Sequence, residues 1–139
     1  MEANQQIPAN VKPKPIWSPL AVGLFCFFFS FLAGGLMNAI SYGRAGYPER
    51  QKRRLLILIP AFIIFGIVVI VSPDSLNILF NLFNVAVAIY FYQDQKKLFE
   101  EHIQRGGEKA GVGIPLLIAL PITFILLFFV MIAAIISVL

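Results

Sequence analysis

The chain has a single cysteine and a single histidine, and only 13% of its 139 residues are charged, against roughly 25% in a soluble domain. Each scarcity excludes a chemistry. Cys26 alone forms no internal disulfide, supplies no dithiol pair, and carries no information about the redox compartment. His102 alone cannot build an H-E-x-x-H zinc site. A Ser–His–acid relay would have to recruit that same ring, and no G-x-S-x-G elbow is present. His102 stands among Glu100, Glu101 and Arg105 and is expected to be a solvated residue. Gly43-Arg-Ala-Gly46 and the glycines over 106–113 follow no strand, so neither is a phosphate cradle. No cofactor, no metal and no nucleic-acid partner is expected.

The missing charge is also unevenly missing. Four windows, 15–43, 55–73, 75–93 and 110–139, contain no charged residue at all. About 20 apolar residues at 1.5 Å each carry a helix across a hydrocarbon layer of roughly 30 Å. The runs are continuous, as in Leu55-Leu-Ile-Leu-Ile-Pro-Ala-Phe-Ile-Ile-Phe65, whereas barrel strands alternate apolar and polar residues. The expected fold is therefore all-α: a polytopic membrane protein with four transmembrane helices in an antiparallel bundle, one domain over 1–139. After a short polar tail over 1–16, helices are predicted near 18–41, 55–72, 73–93 with an extension to 105, and 114–138. The first run is too long for the 7–15-residue core of a cleaved signal peptide.

Helix starts are marked by Trp17-Ser18-Pro19 and Ser72-Pro73-Asp74, with Ser as N-cap and Pro at the first helical position. Pro60 and Pro121 fall inside crossings, which a membrane tolerates where neighbouring groups satisfy the freed carbonyl. Gly106-Gly107 supplies a helix stop. Between them, Asp94 to Arg105 continues the third helix beyond the bilayer, with Glu101 and Arg105 in the favourable i,i+4 order.

With four crossings, Arg44, Arg50, Lys52, Arg53, Arg54, Lys96, Lys97, Arg105 and Lys109 share one side, opposite Lys12 and Lys14. The positive-inside rule then predicts both termini outside the cytoplasm. The stretch from Arg44 to Arg54 concentrates basic charge beside a leaflet, where each such residue contributes roughly 1 kcal/mol. Arg44, Arg50, Lys52, Arg53 and Arg54 are the candidate lipid or partner contacts.

Inside the crossings no Asp, Glu, Lys, Arg or His is found apart from Asp74 at the mouth of the third. Coupled carriers, pumps and voltage sensors need such groups. The crossings carry amides instead. Asn77, Asn81 and Asn84 share one helical face, and the first crossing has Gly23, Ser30, Gly34, Asn38 and Ser41. Small residues permit close backbone approach, and interhelical amide bonds are worth roughly 0.6–2 kcal/mol each. These rows either glue the first and third helices together, line a hydrated path, or meet another membrane protein's helix.

Phe31-Leu-Ala-Gly-Gly-Leu-Met-Asn-Ala-Ile-Ser-Tyr-Gly-Arg-Ala-Gly46 and His102-Ile-Gln-Arg-Gly-Gly107 together resemble small uncharacterised bacterial four-helix inner-membrane proteins. That resemblance implies a bacterial cytoplasmic-membrane address and no activity. The leading functional expectation is a non-enzymatic accessory or interaction subunit acting through helix packing and its basic cytoplasmic loop. Its partners would be the lipid bilayer and another membrane protein or a second copy of itself. The alternative is a small homo-oligomeric pore lined by the Asn row, and a membrane enzyme ranks third.

Overall fold

A computed structural model describes residues 13–139. Most of the expected polar tail, Lys12 included, lies outside the described residues. The described residues form five α-helices: α1 Pro19–Phe28, α2 Phe31–Arg44, α3 Pro48–Val71, α4 Asn77–Gln104 and α5 Gly113–Val138, with a 3₁₀ turn Asp74–Leu76 ahead of α4. Among the described residues there is no strand, only an isolated bridge between Ile16 and Lys109.

Among the described residues, three helices are long and apolar enough to cross a membrane: Pro48–Val71, Asp74–Gln104 and Gly113–Val138. The window expected as a first crossing, 18–41, is two helices folded against each other. Ser18 caps α1 as its sequence indicates, its Oγ accepting from the Ala21 amide at 3.3 Å. The helix then stops after ten residues, about 15 Å of rise and half a hydrocarbon layer. Ser30, at φ 152°, is the one positive-φ residue other than glycine among the described residues. It reverses the chain and caps α2 by accepting from Ala33.

Gly34 makes the reversal possible. A Cβ there would stand 2.0 Å from Cys26 Sγ and 2.7 Å from the Val22 carbonyl oxygen, so α2 lies directly on α1. The two ends of the hairpin meet again at one level. Arg44 Nη1 donates to the Pro15 carbonyl at 3.2 Å, and Ile16 packs with Tyr42, Ala45 and Leu98. Apolar length alone reads such a segment as a crossing; the small residues within it let the chain turn back.

Around the hairpin, α1 packs on α4 and α2 packs on α3 and α4, while α3 and α4 barely approach each other. Rings carry the α3–α4 contact at depth, where Phe65 stacks on Phe83 at 4.9 Å. The fifth helix stands apart. None of its residues is buried, and it touches the hairpin core near its start, through Ala119. The arrangement is a hairpin wedged between two long helices plus a separate rod, rather than four helices in one bundle.

Helix boundaries follow local chemistry. α3 begins at Pro48, well before the first apolar residue of its window, because its charged first turns continue the rod into the polar zone. The expected Ser72 cap does not form. Ser72 ends α3, and the 3₁₀ turn separates it from α4. Both Gly-containing stops are Schellman closures. At Gly46 (φ 98°) and Gly106 (φ 81°), the following amides of Tyr47 and Gly107 donate back to Tyr42 and His102 carbonyls, each at 2.9 Å. Helices α3 and α5 run through Pro60 and Pro121 without interruption.

Candidate functional site

The polar groups of this protein converge at one end of the helices. Asn38 on α2 is fully buried and uses its whole amide. Its Nδ2 donates to Asp94 Oδ2 at 3.0 Å and to Gln95 Oε1 at 2.9 Å. Its Oδ1 accepts from Arg54 Nη1 at 2.6 Å. Arg54 in turn pairs with Asp94 at 3.0 Å and lies over the Tyr42 ring at 4.0 Å, while the Tyr42 hydroxyl donates to Asp94 at 3.2 Å. Gln95, also fully buried, donates to the Trp17 carbonyl at 2.7 Å. One amide thus ties α2, α3, α4 and the entry to α1 together.

This clamp obeys the rule for ionic groups out of water: a half-buried pair persists where additional hydrogen bonds satisfy its remaining valences. Among the described residues no buried side-chain nitrogen or oxygen lacks a partner.

A second set of contacts closes the same end. His102 is buried, against the expectation of a solvated ring. Helix α4 carries it beyond the apolar run, and the glycine turn then folds over it. A Cβ at Gly107 would lie 2.2 Å from His102 Nε2. Nε2 sits 3.2 Å from the Glu108 carbonyl, which accepts also from the Ile16 amide at 3.1 Å. Since a carbonyl only accepts, the Nε2 carries the hydrogen. Burial pushes the ring's pKa below its ordinary value of 6.5, so His102 is neutral near pH 7. Trp17 Nε1 donates to the Gly111 carbonyl at 3.0 Å, and Arg44 covers the Trp17 ring at 4.5 Å. Tyr47 donates to Glu101, which also pairs with Arg105.

Beside the clamp, a cleft of about 620 Å³ opens between α3 and α4, with Phe31 and Gly35 of α2 as its floor. Arg50, Arg53 and Arg54 stand at its mouth. The rest of the lining is aliphatic and aromatic, with the Tyr90 phenol its one other polar side chain.

The residues singled out by sequence therefore separate. Asn38 is the centre of the clamp. Ser30 and Gly34 build the hairpin, while Gly23 meets Tyr92 of α4. Of the α4 row, Asn77 and Asn81 are exposed, and Asn84 donates weakly to the Phe27 carbonyl at 3.5 Å. Of the basic residues expected in a loop, which the structure places at the end of α2 and on the first turns of α3, Arg54 belongs to the clamp, Arg44 to the Trp17 contact, and Arg50 and Arg53 to the cleft mouth, while Lys52 is exposed.

Sequence reasoning missed the roles of Arg54, Asp94 and Gln95. Their signal lay in position. Arg54 is the last charge before one apolar run and Asp94 the first charge after the next. An antiparallel pair of helices brings such ends to one level with opposite signs.

No protein-family profile, curated protein or solved structure matches this chain.

Proposed function

We propose that the chain is a non-enzymatic integral membrane protein, an accessory or interaction subunit of a bacterial cytoplasmic membrane. In this reading α3, α4 and α5 cross the bilayer and the α1–α2 hairpin enters only halfway. Its N-terminal segment, the Arg44–Arg54 stretch and the end of α4 lie in the cytoplasm, and the C-terminus lies outside. The carrying observation is that every described Lys and Arg gathers at the clamped end of the helices, with Asp74 the one charged side chain among the described residues at the opposite end. Such an asymmetry is what the positive-inside rule reads. It revises the sequence expectation for the N-terminus, because a hairpin returns the chain to the side it came from.

The clamped end supplies a rigid basic platform. The lone rod α5 supplies a helix free to pack on a membrane partner or a second copy. The pore reading has one observation in its favour, the exposure of Asn77 and Asn81 on α4, and it ranks second.

Alkaline phosphatase fused after Leu139 is expected to be active, and the same enzyme fused ahead of Met1 inactive. Activity at both ends would restore an even number of crossings and overturn the hairpin topology. Purified protein in planar bilayers is expected to pass no ions; reproducible conductance abolished by Asn81→Leu would favour the pore instead.

A further inference from the structure

We propose that the cleft between α3 and α4 binds one anionic, phosphate-headed lipid. Its headgroup would sit against Arg50 and Arg53, with one acyl chain running down past Ile57, Ala61 and Val87. The inference deepens the reading above, resting on α3 and α4 crossing the membrane.

Shape and charge argue for this occupant. The volume, about 620 Å³, falls in the ordinary range for small-ligand sites. From Arg50 to Ala61 the α3 wall rises about 16 Å, enough for a headgroup followed by much of a chain. The polarity changes along that wall in the order of a lipid: guanidinium groups at the mouth, then aliphatic and aromatic side chains, with the Tyr90 phenol the one other polar group of the lining. A free anion would leave the apolar part empty, and a peptide would bring backbone amides that this part cannot pair.

The mouth is also biased toward an anion. Arg54 is held by Asp94 and so contributes a fixed hydrogen-bonding edge rather than an uncompensated charge. Arg53 makes no ion pair among the described residues. Arginine's planar fork suits phosphate oxygens bidentately. Finally, the cleft is open because α2, not α4, is the main neighbour of α3, so its long side faces the surrounding lipid rather than the protein interior.

The test uses the full chain purified in dodecylmaltoside. Thermal unfolding midpoint and lipid retained in native mass spectrometry are read against dioleoylphosphatidylglycerol, dioleoylphosphatidylcholine and sodium phosphate at matched ionic strength. Phosphatidylglycerol is expected to raise the midpoint and to be retained at one per chain, while the other two leave it unchanged. The double variant R50Q/R53Q and the channel-filling variant A61W are each expected to weaken that effect at least tenfold in lipid concentration. K52Q, on the same first turns of α3 but off the cleft, is expected to leave it intact. V87F fills the channel from the opposite wall, so a misfolded A61W does not remove the test.

Equal response to phosphatidylcholine overturns the proposal, as does an equal response to phosphate alone. Full retention of the effect in both channel-filling variants would reduce the site to loop charge and overturn it as well. Because selectivity is read in micelles, it stands or falls independently of the orientation that the fusions report.

Discussion

The stretches 15–43 and 110–139 look alike in sequence: both are about thirty residues without a charge. The structure treats them in opposite ways. The first is folded on itself and supplies most of the buried residues, among them Val22, Cys26, Asn38 and Ser41. In the second, only Ala110 at its start is buried; the rest is a single rod, α5, with nothing buried. Mean apolarity does not separate them. What separates them is the placement of small and hydrogen-bonding residues. In the first stretch Ser30 turns the chain, Gly34 admits a neighbouring backbone and Asn38 recruits three other segments. In the second, Thr123 and Ser137 bond only to carbonyls of their own helix, Ala119 and Ala134, and nothing breaks the run.

That contrast can be broken at its tightest point. Gly34→Leu would drive a side chain into the Val22 carbonyl and Cys26, and overpacking of this kind costs about 3 kcal/mol. The expected result is a large fall in unfolding midpoint in detergent, with Cys26 becoming reactive to a maleimide. Retention of a protected thiol would show that the hairpin is not packed as described. Asn38→Leu keeps the branched outline but strands the partners in Asp94, Gln95 and Arg54, for an expected loss of about 2 kcal/mol. Its double-mutant cycle with Gln95→Leu should show strong coupling, and additive losses would separate the two residues. The smallest effect is expected on the rod. Leu127→Ala, at a position 58% exposed, should change stability by no more than about 0.5 kcal/mol. A loss well above that would mean that α5 packs against protein after all.

Much of this was readable from residue order, and the remainder has identifiable causes. Continuous apolar runs gave α3, α4 and α5, since length and composition suffice for a rod in hydrocarbon. Ser18-Pro19 and Gly106-Gly107 marked real ends because capping is local chemistry. The hairpin escaped because a reversal at Ser30 depends on Gly34 meeting Val22, a contact between two helices that no periodicity reveals. His102 was misplaced for a related reason. Its charged neighbours in sequence suggested water, whereas its neighbours in space are Gly107 and the Glu108 carbonyl. For the candidate site, Asn38, Arg44, Arg50, Arg53 and Arg54 stand out in the sequence, but their division among clamp, aromatic contact and cleft needs three dimensions.

The separation in sequence between Asn38 and its partners bears on the order of assembly. Asp94 and Gln95 lie 56 and 57 residues downstream, which at bacterial or slower elongation rates of about 5–20 residues per second means a delay of roughly 3–11 s. During that interval the amide has none of its final companions from α4. The nascent hairpin must hold that amide without them until the ribosome has delivered the helix that completes the clamp.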